Sequence, residues 1–140
     1  MPDEAPDTTP EKDRPMTYDD SNIFARMLRG EIPNDTVAEN AHALAFRDIR
    51  PQAPVHILVI PRGRYVSYDD FAANASDDEI VGFNRLVAEV ARAEGLSLAD
   101  GGDGFRAITN AGAHGVQEVP HFHVHVFGGR RIGRMVPRSE

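Results

Sequence analysis

The chain has 140 residues, of which 41% are hydrophobic, and it contains no cysteine. A domain of this length can bury roughly two-thirds of its unfolded surface, whereas a disulfide framework and a thiolate metal site are excluded. The net charge of −7 argues against a protein that grips a nucleic-acid polymer, because such proteins need cations clustered along a phosphate track. A small phosphorylated ligand in one local pocket is compatible with this charge.

Residues 1–17 predict a disordered, acidic and proline-rich tail. They contain four prolines and no apolar cluster, and the first fifteen carry five acidic side chains against two basic ones, a net charge of −3. A signal peptide would be basic and then apolar, and no apolar run approaches the roughly 20 residues that span a bilayer. We therefore expect one domain over residues 18–140, a cytoplasmic location and no membrane contact.

The pattern after the tail predicts an α+β domain, in which two helices accompany an antiparallel sheet of five strands. Ser21-Asn22 can cap a short helix, which Gly30 ends. The capping box Ser76-Asp77-Asp78-Glu79 opens a long helix over 77–94, with Gly95 at its end. Apolar runs bounded by turn residues predict the strands Thr36–Glu39, Ala43–Ile49, Val55–Ile60, Phe105–Thr109 and Val119–Phe127. The second and third are too close in sequence for a crossover helix, so they should pair antiparallel.

Three of the six histidines alternate within the last predicted strand, in the run HFHVHVF at residues 121–127. Side chains at every second position of a strand share one face, and each step covers about 6.5–7 Å. His121, His123 and His125 should therefore face the same way, while Phe122, Val124, Val126 and Phe127 mostly serve the core on the opposite side.

Three interpretations of this pattern compete. The imidazoles could be half-exposed or hydrogen-bonded sheet residues with no common role. They could hold a metal, since two histidines at this spacing can share one zinc, although all three cannot easily converge on one ion from a straight strand. In the favoured interpretation, one imidazole attacks the phosphorus of a phosphate ester and its neighbours contact the phosphoryl oxygens or the leaving group. Asn110, Gln117 and the amides of the preceding glycine-rich loop would supply donors for the developing charge.

The histidine run resembles the signature of the histidine-triad (HIT) family. It is most similar to the branch of purine nucleoside phosphoramidases and histidine-triad nucleotide-binding proteins. Other segments match in order and spacing, so that the resemblance covers about residues 21–130: residues 23–33, Phe46-Arg47-Asp48-Ile49, residues 51–61, and Asn110 with residues 115–117. It implies a HIT-like antiparallel five-stranded sheet and a homodimer, to which helix 77–94 and the fourth strand would contribute. The apolar stripe of this helix could equally face its own sheet. The implied chemistry needs no cofactor and no metal.

The resemblance also implies a role for each residue of the site. His123 would be the nucleophile that takes the nucleotidyl phosphorus, and His125 would contact the phosphate and the leaving group. His121 and His56 would set the orientation and tautomer of the nucleophile, and Asp48 would bind the ribose hydroxyls. The apolar slot for the base would be lined by Phe24, Met27, Ile32, Phe46, Ile49 and Leu58.

The loop before the histidines would hold the α-phosphate through Asn110, Gln117 and its backbone amides. Glu118 departs from the pattern, because the phosphoramidase branch usually has a serine at this position. A carboxylate repels a phosphate, so we expect the Glu118 side chain to swing away and its backbone amide to help bind the nucleotide. The C-terminal tail also lacks the tryptophan that close relatives lend to the partner subunit's site.

These assignments predict a nucleotide-binding hydrolase. It would cleave a nucleoside monophosphate, AMP by expectation, from a phosphoramidate or similar small leaving group through a covalent nucleotidyl-histidine intermediate. Two alternatives stay open. One is a dinucleoside polyphosphate hydrolase with the same fold and nucleophile, and the other is a nucleotide-binding regulatory protein with little turnover.

Overall fold

A computed structural model describes residues 17–137 of the chain. The predicted disordered tail lies outside these residues except for Thr17. Five strands form one sheet in the order β1-β2-β3-β5-β4, and every neighbouring pair is antiparallel. This confirms the predicted α+β fold with an antiparallel five-stranded sheet. The strands are β1 (Thr36–Glu39), β2 (Ala43–Arg47), β3 (Val55–Pro61), β4 (Arg106–Ile108) and β5 (Val124–Gly128).

The structure contains three α-helices within residues 17–137, one more than the sequence pattern predicts. They are α1 (Ile23–Leu28), α2 (Tyr68–Asn74) and α3 (Asp77–Ala93). The predicted caps of α1 and α3 are both present: the Asn22 side chain accepts the amide of Ala25, and Ser76 and Glu79 form the reciprocal capping box. Helix α2 escapes the pattern because its seven residues bury one side chain, Phe71, and so show no helical periodicity. None of these helices is long and apolar enough to cross a membrane.

The predicted strands were wrong at several ends, most of all at the start of β5. Strand β5 begins at Val124 rather than Val119, because Pro120 has no amide to offer a neighbouring strand and the amide of Phe122 donates to Tyr65 O instead. Of the three alternating histidines, only His125 lies in the strand. Strand β4 is shorter than predicted, and β2 stops at Arg47.

The two faces of the sheet carry separate apolar clusters. On the back face, α3 contacts β1, β2 and β3, and α2 contributes Phe71 to a large cluster: Ala43, Ala45, Ile57, Val59, Phe71, Phe83, Leu86, Val90, Ala91, Leu96, Phe122 and Val126. On the front face, α1 packs on the alternate positions of β2 and β3 through a smaller cluster: Phe24, Leu44, Phe46, Leu58 and Ile60. His125 pairs across the sheet with Leu58, which places it on the front face.

Candidate active site

His121 lies just before β5 and is fully buried, with 0% of its surface exposed. Its Nε2 is 2.9 Å from the carbonyl oxygen of Pro61, and its Nδ1 is 2.6 Å from the hydroxyl of Tyr18. A carbonyl can only accept a hydrogen bond, so Nε2 carries the proton and Nδ1 accepts from the phenol. Burial lowers the pKa of His121 to about 4, so the ring is neutral near pH 7.

His123 is also buried, and its tautomer is set by the backbone. Its Nδ1 donates to the carbonyl oxygen of His121 at 2.7 Å, so that the lone pair of the neutral ring lies on Nε2. Burial lowers the pKa of His123, against the opposing effects of its bond to His121 and of the charges on Asp48 and Glu118. A neutral imidazole with a free lone pair is the form that can act as a nucleophile.

His125 takes its tautomer from His56 on the neighbouring strand. The amide of Gln52 donates to His56 Nδ1 at 3.1 Å, so the proton of neutral His56 lies on Nε2 and points to His125 Nδ1, 3.0 Å away. His125 then carries its own proton on Nε2. Burial and the neighbouring imidazoles lower the pKa of His125 to about 4. Burial also lowers the pKa of His56.

The structure therefore brings two adjacent histidines together in complementary tautomers. The ring centroids of His123 and His125 are 5.0 Å apart. His123 offers a lone pair at Nε2, and His125 offers an N–H at Nε2. Such a pair can attack an electrophilic phosphorus and hydrogen-bond the oxygen or nitrogen atoms bound to it.

Asp48, His56 and His125 also form a group whose ligand atoms lie within 4.8 Å of one another, as a metal site would require. Asp48 Oδ2 is 3.5 Å from His56 Nε2. A metal needs a lone pair on that nitrogen, yet the bond from the Gln52 amide to Nδ1 leaves the proton of the neutral ring on Nε2. The arrangement therefore fits a hydrogen-bond chain better than a metal site.

The residues predicted for the base slot are only partly brought together. Phe24, Phe46 and Leu58 share the front-face cluster, and Met27 packs against it. The Phe24 ring also contacts His123 edge-on, with ring centroids 5.1 Å apart, so this cluster borders the nucleophile. Ile32 is half-buried outside the cluster, and Ile49 has 90% of its surface exposed.

The polar residues predicted to bind the phosphate differ in whether their side chains are already hydrogen-bonded within the protein. Gln117 uses its side chain within the protein: Nε2 donates to the carbonyls of Val66 and Val119, and Oε1 accepts the amide of Gly112. Asn110 is half-buried, and within residues 17–137 its side chain makes no hydrogen bond. The Glu118 side chain is exposed. The roles of these residues and of Asp48 in nucleotide binding stay predictions.

The pattern of the sequence missed three contributors to this site. Phe127 was predicted to serve mostly the core, but its ring lies parallel to His125, 5.6 Å between centroids, and 4.3 Å from His56. Its position two residues after His125 was the available signal. Tyr18 and the amide of Gln52 could not be found in this way, because a hydrogen-bond partner for a ring nitrogen has no signature in the sequence.

Comparisons with known proteins show the family of the chain. The family model of the HIT domain matches residues 29–132. The chain belongs to the HIT family. It is 56% identical over 123 residues to a HIT-like protein of Azospirillum brasilense, a match that covers 88% of this chain and 98% of that protein.

Two further HIT relatives have names that describe an activity. The purine nucleoside phosphoramidase of Escherichia coli (strain K12) is 40% identical over 118 residues, which are 84% of this chain and 94% of that enzyme. The solved structure of a HIT family hydrolase from Legionella pneumophila Philadelphia 1 is 41% identical with a TM-score of 0.66, and the match covers 79% of this chain and 95% of that one. The resemblance stated from the histidine run and its flanking segments is confirmed.

Proposed function

We propose that this HIT protein is a nucleotide-binding hydrolase that releases a nucleoside monophosphate, AMP in the first instance, from a phosphoramidate or similar small leaving group. The observation that carries the proposal is the set of hydrogen bonds that assigns complementary tautomers to His123 and His125. Family membership and the phosphoramidase relative support a nucleotide-binding hydrolase. AMP and a covalent intermediate are our finer inferences.

In the first step, the lone pair of His123 Nε2 attacks the α-phosphorus and forms a P–N bond. The bond from phosphorus to the leaving nitrogen or oxygen breaks, and its electron pair goes to that atom, which takes any proton it needs from solvent. The Nε2–H of His125 donates to the leaving atom or to a phosphoryl oxygen as charge develops there. The Nδ1–H of His123 keeps its bond to the His121 carbonyl, which stabilises the positive charge that the ring acquires.

In the second step, water attacks phosphorus and the P–N bond to His123 breaks. The electron pair returns to Nε2, the oxygen of the water stays on the nucleoside monophosphate, and its proton is released to solvent. Splitting the reaction in two replaces one difficult displacement by two easier ones. The buried position of His123 restricts water to the space that the departing group vacates.

Replacing the nucleophile tests this mechanism directly. His123→Asn should lower kcat on adenosine phosphoramidate by roughly 10³-fold or more, while AMP binding measured by calorimetry persists. His42→Asn is the matched control, because it makes the same change at a half-buried histidine in the turn before β2, away from the histidine run. Mass spectrometry of wild-type protein quenched during turnover should detect a nucleotidyl adduct on His123.

The same experiment separates an enzyme from a regulatory nucleotide-binding protein. A fully active His123→Asn protein would exclude the covalent mechanism. Tight AMP binding by the wild-type protein, without turnover of any phosphoryl substrate, would instead favour the regulatory alternative.

A second candidate substrate is a dinucleoside polyphosphate, and a group of arginines favours it. Arg130 donates to the carbonyl of Gln52, whose amide holds His56, and Arg106 donates to the carbonyl of Arg134. Within residues 17–137, none of these three arginines forms an ion pair with an acidic side chain. Cations at the edge of an otherwise acidic protein suit an anionic leaving group.

Rates on adenosine phosphoramidate and on diadenosine tetraphosphate, measured side by side, decide between the two substrates. If the arginines bind a polyphosphate, Arg106→Gln and Arg130→Gln will slow the tetraphosphate reaction and spare the phosphoramidate reaction. Arg85→Gln on the exposed side of α3 serves as the control. Equal effects on both substrates would leave the phosphoramidate as the preferred assignment.

We also propose that the protein acts as a homodimer, through β4 and the side of α3 that carries Ile80 and Val87. Strand β4 ends the sheet, so its outer edge has no strand partner within residues 17–137. An apolar groove beside it is lined by Ile80, Val87, Ala107 and Val124. Paired edges and buried apolar surface are what a two-fold interface supplies. Analytical ultracentrifugation tests the proposal, and a monomer at micromolar concentration would refute it.

The cytoplasmic location and the absence of a cofactor stay predictions.

A further inference from the structure

We propose that Tyr18 is a positioning residue of the active site, whose hydroxyl holds the His121 ring and thereby the backbone carbonyl that sets the tautomer of His123. Tyr18 precedes the first helix by several residues and lies 103 positions from His121. The kinetic part of this inference rests on the function proposed above. The structural part, which concerns ring tautomers, does not.

The hydroxyl of Tyr18 is the one donor that reaches His121 Nδ1 within residues 17–137. The other groups that face this ring are the Pro61 carbonyl, which takes the Nε2 proton, the ring of Phe24 and the ring of His123. The Tyr18 ring also meets His121 edge-on, with centroids 5.6 Å apart. Burial raises the pKa of Tyr18, so its phenol stays a proton donor at neutral pH.

Tyr18 is itself held by a local framework. The guanidinium carbon of Arg64 lies 5.3 Å from the centroid of the Tyr18 ring, a cation–π contact, and Arg64 forms an ion pair with Asp20 at 2.8 Å. The adjoining turn is closed by Asn22, whose backbone and side chain both donate to the carbonyl of Asp19. The segment that carries Tyr18 is therefore tied to the cap of α1 and to the loop after β3.

His121 connects this framework to the nucleophile. Its ring makes two hydrogen bonds, and its carbonyl accepts the Nδ1–H of His123 at 2.7 Å. Without the phenol, Nδ1 becomes a buried acceptor with no donor, a condition that native proteins rarely tolerate. The ring must then rotate, admit water or take up a proton. Each response shifts the His121 peptide or places a charge beside His123, and so reduces the share of His123 rings with a lone pair on Nε2.

Removing only the phenolic oxygen tests the role of Tyr18. In Tyr18→Phe, kcat on adenosine phosphoramidate should fall roughly ten- to a hundredfold, by analogy with the loss of a partner that orients a metal-bound histidine. KM should stay nearly constant, because Tyr18 acts through His121 and not on the substrate. Tyr68→Phe is the matched control, since its phenol is exposed and makes no hydrogen bond within residues 17–137.

A spectroscopic readout separates positioning from general support of the fold. Nitrogen-15 NMR of the imidazoles reports which ring nitrogen carries the proton. We expect wild-type spectra with His121 protonated on Nε2 and His123 protonated on Nδ1, and a changed His121 signal with a mixed His123 tautomer in Tyr18→Phe. In a His121→Asn background, Tyr18→Phe should cause no further loss of kcat, since its route to the nucleophile is already gone.

Each outcome bears on one proposal. Unchanged kcat together with unchanged ring tautomers in Tyr18→Phe would overturn the role of Tyr18. If Tyr18→Phe folds poorly, Arg64→Ala keeps the phenol and loosens it; a smaller fall in kcat with partial mixing of the His123 tautomers supports the role, and wild-type values for both refute it. A wild-type protein without turnover would overturn the proposed function, while the tautomers would still test Tyr18.

Discussion

The two faces of the sheet are both buried, but different interactions stabilise them. On the back face, the rings of Phe71, Phe83 and Phe122 lie 4.9–5.2 Å apart within a cluster of aliphatic side chains. On the front face, the imidazoles beside the smaller cluster each depend on a particular hydrogen-bond partner. Within residues 17–137, no buried side-chain nitrogen or oxygen lacks a partner.

This difference predicts how each face responds to change. An apolar cluster loses free energy in proportion to the volume removed, and it tolerates many shapes. A buried ring nitrogen costs free energy unless a partner of the right kind is in place. Substitutions on the back face should therefore lower stability and spare activity. Substitutions of partners on the front face should lower activity, and acid should act on the front face first.

Acid should separate the two faces most strongly. The pKa values of His121 and His125 are about 4, below the value of 6.5 for an unfolded histidine, because burial disfavours the charged rings. Between these values the unfolded chain binds more protons than the folded one. The stability contributed by the neutral rings is complete above pH 6.5 and is lost as the pH falls toward 4.

We therefore expect the free energy of unfolding in urea to decrease by several kcal/mol over this pH window, with front-face signals in NMR changing before those of the back-face rings. The titration of each imidazole proton gives the pKa values directly. If His121 and His125 both titrate near the value of an unfolded histidine, the prediction that these imidazoles are neutral at pH 7 because of burial is wrong.

Leu86→Ala should give the largest single effect on the back face. Leu86 lies on α3 with 0% of its surface exposed. Its truncation should lower the free energy of unfolding by about 2–5 kcal/mol, through lost burial and the cavity left behind. Below the unfolding transition, kcat should match the wild type within about twofold. Arg85→Ala, one residue earlier and exposed, should change stability by less than about 0.5 kcal/mol. A large loss of kcat in Leu86→Ala would contradict the prediction that back-face substitutions affect stability and not activity.

His56→Phe is the test on the front face, because it removes a hydrogen-bond partner and keeps a ring of similar shape. The new ring fits beside Phe127, which already packs 4.3 Å from His56, so the loss of stability should be smaller than in Leu86→Ala. The donor to His125 Nδ1 disappears, and kcat should fall roughly ten- to a hundredfold. His56→Gln restores an N–H donor and should recover part of that loss. If His56→Phe and His56→Gln lower kcat equally, the hydrogen bond to His125 is not the reason that activity depends on this position.

The sequence was informative wherever the cause of structure is local. The cap at Asn22, the box at Ser76 and Glu79, and the apolar runs of β2 and β3 between turn residues all act over a few residues, and these elements begin where predicted. The family motif likewise identified which histidines meet. Their geometry was predicted less well, because three alternating positions suggested one straight strand and Pro120 prevents it.

The groups other than the histidines that complete the hydrogen bonds of the imidazoles could not be predicted. The amide of Gln52 and the carbonyl of Pro61 are backbone groups, which every sequence supplies at every position. Tyr18 reaches His121 because α1 folds onto the front face, a consequence of packing and not of a local pattern. Tautomers depend on such contacts, so the chemistry of the site became readable only from the folded chain.

The smallest effect should come from the loop that belongs to neither face. Val116 has a φ of +57°, a left-handed conformation that costs a β-branched residue free energy, and its amide bonds to the Ala113 carbonyl. Val116→Gly removes that strain but adds freedom to the unfolded chain, so the net gain should be about 0.5–1 kcal/mol in urea unfolding. Val116→Ala retains a Cβ and should gain less. Because Gln117 still anchors the loop to Val66, the loop amides predicted to hold the α-phosphate should keep their place and kcat should change by less than about twofold; a larger fall in kcat would mean that the left-handed backbone of Val116 positions those amides.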